Sequence, residues 1–471
     1  MKTHSTARLG LKSLLVTAGL LAVTTGRASA EDATGDWVGV LVGQYHIVVH
    51  VTKDGAGHYQ ATLESPDQGS FVLTADAVTT DADHLDFTIP KISASYKGEW
   101  NADKKAWVGT WTQGTALPLV LTRMIGQVSD LAPPKRPQED AIAAGPRPYR
   151  TQDVTFTNTP AGVTLAGTLS IPDGKGPFPA VVLIGGSGPA TRDENGFGHK
   201  IFLVLADALN RRGIAVLRYD KRGVGQSGGD FASAAIPDFA DDAEAAVTFL
   251  KSRPEIAAGH IGLIGHSEGG AIAPMIAVRN PSVRFVVLMA GPGMRLGALL
   301  NDQTARIARA SGMPEDQIAR RSAFFAKVYK DLKAAQSDAE ALSIARADMA
   351  QAAADHLIAP ENAETAARQL TSPWWRQAAD YDPIPVLQKL RVPVLALNGT
   401  NDLYVPLEDN LPAIKAALKD DPDVTIVELP GLNHMFQTAK IGTAAESVEL
   451  EETLAPAAMK RITDWVVAHG E

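Results

Sequence analysis

The stretch GHSEG at residues 265–269 decides how the rest of the chain is interpreted, because it places a serine between two glycines. Residues 259–264 (GHIGLI) precede it as a predicted buried strand, and residues 271–279 (AIAPMIAVR) follow it as a predicted helix. Small neighbours permit a sharp strand-to-helix turn, which raises the Ser267 hydroxyl above the sheet edge and directs the next backbone N–H at a developing oxyanion. Gly-x-Ser-x-Gly also occurs by chance, but this flanking context favours a nucleophilic serine.

The first 30 residues have the pattern of a secretory signal peptide. A basic segment up to Lys12 precedes an apolar run, 14–23, that is too short to span a bilayer. The Ala-Ser-Ala sequence at 28–30 predicts cleavage after Ala30. We therefore expect a periplasmic or secreted protein with no integral membrane association.

The overall composition narrows the class of partner. The chain of 471 residues has a formal net charge of −9, which argues against nucleic acid or an anionic membrane surface as its partner. It contains no cysteine, so it forms no disulfide. Its length favours more than one domain.

Changes of pattern along the chain predict three segments after the signal peptide. Residues 31–124 alternate short strands with turn formers and are predicted to form a small all-β domain. Residues 125–150 are rich in proline and charge and are predicted to be an extended linker. Residues 151–471 alternate strands and helices, as a mostly parallel sheet requires, except for a helical stretch at about 292–385 that is predicted to form a cap.

Aromatic residues are prominent in the predicted β-domain. Aromatics dominate small hydrophobic cores, so we expect its tryptophans to be core residues rather than ligand stackers. An alternative hypothesis makes this domain a binding module for a cell-wall glycan or a lipid. The tryptophans in question are Trp37, Trp100, Trp107 and Trp111.

A nucleophilic serine needs a base, and the base needs a carboxylate to orient it. In folds of this kind both partners follow late strands, in the chain order Ser, Asp, His. The predicted strand at 394–398 leads to Asp402, and the predicted strand at 424–429 leads to His434. The rivals of Asp402 are Glu408, Asp409 and Asp382.

Two backbone N–H groups are expected to hold the oxyanion. Glu268, directly after the serine, supplies one. The glycine-rich loop at 185–189 supplies the other, with Ser187 as first choice and Gly186 or Gly188 as alternatives.

The candidate substrate pocket is assembled from residues near these elements. The His266 side chain is expected to point away from the serine, although this residue remains a pocket candidate. His199 could line the site, but a surface position is favoured for it. The pocket candidates are Gly186, Gly188, His266, Trp374 and Trp375.

The stretch GVGQSG at 223–228 matches a dinucleotide-binding pattern. Such a site requires the glycines to open a helix directly after a strand, whereas Asp220-Lys221-Arg222 intervene here. We interpret it as a tight loop packed near the serine, and we expect no bound nucleotide, other cofactor or metal.

Taken together, five motifs resemble those of bacterial EstD-like esterases of the α/β-hydrolase superfamily, which are related to serine aminopeptidase-type hydrolases. The resemblance implies an α/β-hydrolase fold with a helical cap behind a small all-β domain. It also implies a carboxylesterase for short acyl chains that forms an acyl-enzyme without metal or cofactor, with Ser267 as nucleophile, His434 as base and Asp402 as orienting acid. The motifs are GGSGP (185–189), RYDKRGVGQSGG (218–229), GHSEGG (265–270), GTNDLYVP (399–406) and LPGLNHMF (429–436).

The same three residues would also serve a peptidase, which is the main alternative to ester hydrolysis. An aminopeptidase additionally needs a carboxylate for the free amine of its substrate. In the cap that role could fall to Asp380, Asp382 or Glu364. A protein that binds without catalysis conflicts with a complete set of catalytic residues.

Overall fold

In a computed structural model the chain divides into two compact units, Met1–Pro133 and Pro134–Glu471. The signal peptide predicted for residues 1–30 lies outside the described residues and stays a prediction. The structure describes residues 32–41, 45–66, 72–81, 83–113, 115–131, 134–355, 357–358 and 360–470.

The first unit is a nine-stranded sheet in the order β4-β3-β2-β1-β9-β8-β7-β6-β5, and each neighbouring pair is antiparallel. A short 3-10 turn spans Pro90–Ile92 and another spans Val128–Leu131. The predicted all-β character is therefore present. The strands are β1 Gly35–Leu41, β2 Tyr45–Lys53, β3 Tyr59–Glu64, β4 Val72–Thr74, β5 Ala77–Thr80, β6 His84–Ile89, β7 Ala94–Asn101, β8 Ala106–Gln113 and β9 Thr115–Arg123.

Aromatic side chains form the centre of this unit. Trp37 and Trp107 are fully buried, and Trp111 is nearly so. Trp100 is half-buried and packs edge-on against Trp107, with ring centroids 5.1 Å apart. The prediction that these four residues form the core is confirmed, because Trp37, Trp107 and Trp111 belong to the buried cluster of this unit and Trp100 packs against it.

The second unit contains one eight-stranded sheet and a two-stranded ribbon. Its strands are β10 Tyr149–Asn158, β11 Val163–Pro172, β12 Phe178–Ile184, β13 Asn195–Gly196, β14 His199–Lys200, β15 Ala215–Tyr219, β16 Ile256–His266, β17 Val283–Met289, β18 Val394–Gly399 and β19 Val424–Leu429. Its helices are α1 Pro137–Ala144, α2 Ile201–Asn210, α3 Ile236–Lys251, α4 Gly269–Arg279, α5 Leu296–Ala310, α6 Glu315–Ala334, α7 Asp338–Ala354, α8 Ala363–Leu370, α9 Pro373–Ala378, α10 Ile384–Leu387, α11 Leu407–Ala417, α12 Ala444–Glu449 and α13 Pro456–Gly470.

The large sheet has the order β10-β11-β15-β12-β16-β17-β18-β19. The first three strands pair antiparallel, and all later pairs are parallel. Every residue of β15 and of β18 is buried, which requires both faces of the sheet to be covered and explains why most of their residues are apolar. The predicted α/β-hydrolase fold is confirmed.

The segment predicted as an extended linker, 125–150, differs from that prediction. Residues Pro137–Ala144 form helix α1, and β10 begins at Tyr149. Proline at the first helical position is favourable because its missing N–H has no partner there, and two acidic residues in the first turn complement the helix dipole. The Arg136 guanidinium donates to backbone oxygens of Val448 and Leu450, which connects the start of α1 to the C-terminal part of the second unit.

Between β17 and β18 the described chain is helical and has a hydrophobic cluster of its own, within residues 328–370. Helix α9 begins after Ser372, whose hydroxyl accepts the Trp375 N–H, and Pro373 occupies its first position. Because Ser372 and Pro373 set the first residue of α9, they also set the positions of Trp374 and Trp375 in its first turn.

Candidate active site

Ser267 lies at the turn between β16 and α4 with φ of 54°, a left-handed conformation that is uncommon for residues other than glycine. Glycine is required on both sides of the motif because backbone atoms approach these positions too closely for a side chain. A Cβ atom at Gly265 would lie 2.0 Å from the Gly269 carbonyl oxygen, and one at Gly269 would lie 2.0 Å from the Ile184 oxygen. The tight turn predicted from the sequence is therefore present.

His434 and Asp402 form a buried pair at the ends of two neighbouring strands. The His434 Nδ1 atom lies 2.9 Å from Asp402 Oδ2. The other oxygen of Asp402 accepts the backbone N–H groups of Tyr404 and Val405, each at 2.8 Å. Because carboxylate oxygens accept, Nδ1 carries the proton and Nε2 is left able to accept one.

Tyr404 packs against this pair. Its ring stacks on His434 with centroids 4.9 Å apart. Burial, followed by the nearby Asp402 charge, raises the pKa of the Tyr404 hydroxyl. The imidazole is therefore held from one edge by a carboxylate and over its face by a neutral ring.

The rival carboxylates are engaged elsewhere. Glu408 and Asp409 face the Arg306 guanidinium at 2.6 and 3.4 Å. Asp382 faces Arg295 at 2.9 Å. Of the four candidates, Asp402 is the one bonded to His434 within the described chain.

His266 connects the serine turn to His434. Its Nε2 atom donates to the His434 backbone oxygen at 2.9 Å, and the two rings lie 4.7 Å apart. Within the described residues, the Ser267 hydroxyl makes no hydrogen bond to the His434 side chain. In enzymes without substrate such contacts are often long and tighten on binding.

Ser187 and Glu268 line one cavity with Ser267, and in the described parts of the chain their backbone N–H groups have no protein acceptor. The Gly188 N–H also lacks a described acceptor, but Gly188 does not line that cavity. Glu268 directly precedes helix α4, so its N–H belongs to the positive end of that helix. The Gly186 N–H, an alternative from the sequence, donates instead to Glu194 Oε1 at 2.6 Å. That bond removes Gly186 as a candidate oxyanion donor.

A buried ion pair lies beside these groups. Lys221 Nζ is 2.6 Å from Glu268 Oε2 and 2.6 Å from the Gly186 carbonyl oxygen. The Trp374 indole N–H donates to the other oxygen of Glu268. Both ionised side chains are at most 4% exposed.

His266 is also paired through its second ring nitrogen. Nδ1 lies 2.7 Å from Glu194 Oε1, the same oxygen that accepts the Gly186 N–H. Burial by itself would lower the pKa of His266, but the charge and the hydrogen bond of Glu194 outweigh it, and the pKa is raised.

A small cavity of about 40 Å³ opens at Ser267. Helix α5 contributes one face, with residues spaced three and four apart as a helical stripe requires. The lining residues are Ser187, Ser267, Glu268, Pro292, Leu296, Leu299, Leu300, Gln303, Trp374 and Val405.

The pocket predicted from the sequence needs correction. Trp374 lines the cavity, whereas Trp375 stacks on Tyr329 with centroids 6.2 Å apart and packs against the cap's own cluster. His266 is 2% exposed and lies beneath the site. Successive helical residues point in different directions, so the two rings, which meet edge-on 5.1 Å apart, reach different surroundings. Neither Gly186 nor Gly188 is among the residues that line the cavity.

His199 differs from the favoured surface position. It is fully buried, with Nε2 2.9 Å from the Ser447 oxygen and Nδ1 3.1 Å from the Thr453 hydroxyl. Burial lowers its pKa. It supports the core rather than the cavity.

The carboxylates considered for a peptide amine are paired within the cap. Asp380 contacts Lys333, and Glu364 lies 2.7 Å from Arg346. Among the described residues that line the cavity, the one carboxylate is Glu268, and its charge is matched by Lys221.

Sequence reasoning missed Lys221 and Glu194. Lys221 lies just beyond the carboxyl end of β15, and β15 neighbours β12, whose own end leads to the loop at 185–189. Ligands of open parallel sheets bind at these carboxyl ends, so a lysine there was a usable signal. Glu194 lies in an irregular loop and gave no comparable signal.

In the described part of the chain, no cluster of three or more histidine, aspartate or glutamate side chains is suited to hold a metal ion. None of the described helices has the length and apolar character needed to cross a membrane.

The chain is similar to known proteins in both sequence and fold. Esterase EstD of Thermotoga maritima is 28% identical over 292 residues, covering 62% of this chain and 61% of EstD, so the match spans less than two thirds of that relative. Among solved structures, Pyrococcus furiosus esterase Pf2001 matches with a TM-score of 0.44 and 15% identity over 69% of this chain and 92% of its own. Alpha/beta hydrolase GrgF from Penicillium sp. sh18 matches with a TM-score of 0.43 and 21% identity. That match covers 68% of this chain and 99% of GrgF. The family model described as Serine aminopeptidase, S33 matches residues 199–439, just over half of the chain, and the protein therefore belongs to this family of α/β-hydrolases.

Proposed function

We propose that the protein is a serine carboxylesterase that hydrolyses short-chain esters through an acyl-enzyme on Ser267. The observation that carries the proposal is the left-handed turn at Ser267, at the N-terminus of α4, together with a buried imidazole held 2.9 Å from Asp402. Strained backbone of this kind is characteristic of functional sites. The family membership and the similarity to an esterase support the same conclusion.

In the proposed reaction the Ser267 oxygen attacks the ester carbonyl carbon while His434 Nε2 takes the hydroxyl proton. The tetrahedral intermediate collapses, the carbon–oxygen bond to the alcohol breaks, and His434 returns its proton to the departing alcohol. Water then attacks the acyl-enzyme by the same route and releases the acid. Asp402 stays ionised throughout and stabilises the imidazolium.

The N–H groups of Ser187 and Glu268 would hold the oxyanion of each tetrahedral intermediate. Support comes from the lack of any described protein acceptor for either group and from the position of Glu268 at the start of α4. One such donor contributes about 10²–10³ to the rate in a comparable hydrolase.

The cavity supports a short acyl group as substrate. Its volume of about 40 Å³ is small beside the roughly 300–1,000 Å³ of pockets that hold drug-sized ligands. Three leucines of α5 make its wall apolar, which suits an acyl chain and disfavours a charged one.

Ester hydrolysis is favoured over aminopeptidase activity by the charge around the cavity. A free substrate amine needs an unmatched carboxylate, whereas Glu268 is paired with Lys221 and the cap carboxylates with Arg or Lys.

The test is steady-state hydrolysis of p-nitrophenyl acetate. Ser267→Ala should lower kcat by about 10⁶-fold, since removal of a nucleophile abolishes the covalent route. Ser252→Ala is the matched control, because Ser252 is an exposed serine at the end of α3, and it should keep full activity. Activity retained in Ser267→Ala would overturn the mechanism.

The peptidase alternative is tested on the wild-type protein by comparing p-nitrophenyl acetate with alanine p-nitroanilide. We expect kcat/KM to be higher for the ester. A higher value for the anilide would reverse the assignment.

A further inference from the structure

Lys221 lies in the RYDKRG segment at the end of β15, and the proposed reaction assigns it no role. Its ammonium group has three partners, the Gly186 carbonyl oxygen, Glu268 Oε2 and the face of the Phe239 ring 4.5 Å away. With the side chain 4% exposed, the charge is almost fully removed from water.

The bond to Gly186 acts on the neighbouring residue. The Gly186 carbonyl and the Ser187 N–H belong to one peptide unit, which is planar, so fixing the oxygen fixes the direction of the N–H. At 2.6 Å, with a charged donor, this is a strong hydrogen bond, and it polarises the amide so that its N–H donates more strongly.

The opposite side of Gly186 is fixed as well. Its N–H donates to Glu194 Oε1 at 2.6 Å, and that oxygen also contacts His266. Because both the amide and the carbonyl of Gly186 are bonded, the loop has little freedom to rotate the next peptide.

Lys221 reaches the second oxyanion donor through a side chain. Glu268, whose backbone N–H is that donor, has one carboxylate oxygen on Lys221 and the other on the Trp374 indole. One buried cation thus connects the peptide that carries the Ser187 N–H with the residue that carries the other N–H.

Stability alone gives little reason for this arrangement. A buried ion pair commonly costs as much in desolvation as it returns, and well-packed apolar residues often replace one without loss. The pair lies at the serine turn, in which a small displacement of a donor lowers the rate steeply.

We propose that Lys221 is a positioning residue that orients both oxyanion donors, the Ser187 N–H through the Gly186 carbonyl and the Glu268 N–H through its carboxylate. This inference rests on the proposed function, since it concerns the same intermediates. Lys221 is not among the residues that line the cavity at Ser267, so it acts through these groups.

The first measurement is Lys221→Met with p-nitrophenyl acetate. We expect kcat to fall about 10²-fold while KM changes less than about threefold, because an oxyanion donor acts mainly in the transition state. The inhibition constant of a trifluoromethyl ketone, which forms a tetrahedral oxyanion on the serine, should rise in parallel. Lys221→Gln, which can still donate to the carbonyl, should recover part of kcat.

A rival explanation is that Lys221 only neutralises Glu268. The double variant Lys221→Met with Glu268→Gln separates the two, since neither charge is then present and a folding defect from an unpaired carboxylate is avoided. Compared with Glu268→Gln alone, we expect the double variant to be at least about tenfold slower. Equal rates in the two would overturn the proposal.

Lys251→Met is the matched control, because this exposed lysine bonds Ser282 away from the site, and it should keep wild-type kinetics. Melting temperatures of all variants report folding. A wild-type protein that hydrolyses no ester would refute the proposed function, whereas an active wild type with an equally active Lys221→Met would refute only this inference.

Discussion

His266, in the serine motif, forms hydrogen bonds through both of its ring nitrogens. Both of its ring nitrogens face oxygen acceptors, Glu194 on one edge and the His434 carbonyl on the other. A neutral imidazole has one N–H, so the two bonds require an additional proton on the pair. The raised pKa of His266 agrees with this, and the resulting charged pair supports the backbone of His434 from beneath.

This pair predicts a pH dependence of stability. A histidine whose pKa is raised on folding contributes stability that is fully present below its unfolded value of about 6.5 and is lost as the pH rises through the folded value. We expect the melting temperature of the wild type to fall as the pH rises through the folded pKa of His266. In His266→Asn the melting temperature should fall less steeply over the same pH range.

His199→Asn is the matched control, because His199 is equally buried but its pKa is lowered. The stability that His199 contributes is lost as the pH falls. Its substitution should therefore change how the melting temperature depends on pH in the acid range rather than the alkaline range. If the melting temperature of His266→Asn fell with rising pH as steeply as that of the wild type, the assignment of charge to the His266–Glu194 pair would be wrong.

Among the elements, α5 has the clearest functional face. Leu296, Leu299, Leu300 and Gln303 recur at helical spacing along the cavity, while Ile307, one turn further, does not line it. The first helix of the cap therefore forms the apolar wall of the cavity at Ser267.

We expect Leu300→Ala to shift acyl preference toward longer esters. Each additional methylene that the enlarged cavity accommodates should improve relative kcat/KM about fourfold, from about 0.8 kcal/mol per buried methylene. The measurement is a p-nitrophenyl ester series from acetate to octanoate, with Ile307→Ala as control on the same helix. An identical chain-length profile in Leu300→Ala and the wild type would show that α5 does not limit the acyl group.

The whole molecule consists of two units, each with its own hydrophobic core. The described groups that contact or line the site at Ser267 all belong to the second unit. Segments with a complete core can generally fold alone.

We therefore expect residues 134–471, expressed alone, to fold and to hydrolyse p-nitrophenyl acetate with kcat/KM within about threefold of the full chain. The comparison should be made at equal active-site concentration. A soluble, folded fragment with activity reduced by orders of magnitude would show that the first unit contributes to the site.

The serine turn, the order of strands and helices and the confirmed fold could be predicted from sequence because they depend on local chemistry. Glycines around Ser267 are required by the backbone within a few residues, and continuous apolar runs follow from burial of parallel strands. The positions of Asp402 and His434, each after a late strand, likewise predict that the two residues pair. A local feature was misjudged at Pro137, where proline begins a helix rather than extending a linker.

The contacts that surround the serine were decided by tertiary structure. Lys221 and Glu268 are 47 residues apart, Glu194 and His266 are 72 apart, and Trp374 reaches Glu268 across 106 residues. Hydrophobic periodicity specifies which face of an element is buried but not which polar groups meet there. The sequence therefore determined the turn at Ser267, whereas packing between distant segments determined which polar groups surround Gly186 and Glu268 and which tryptophan reaches the cavity.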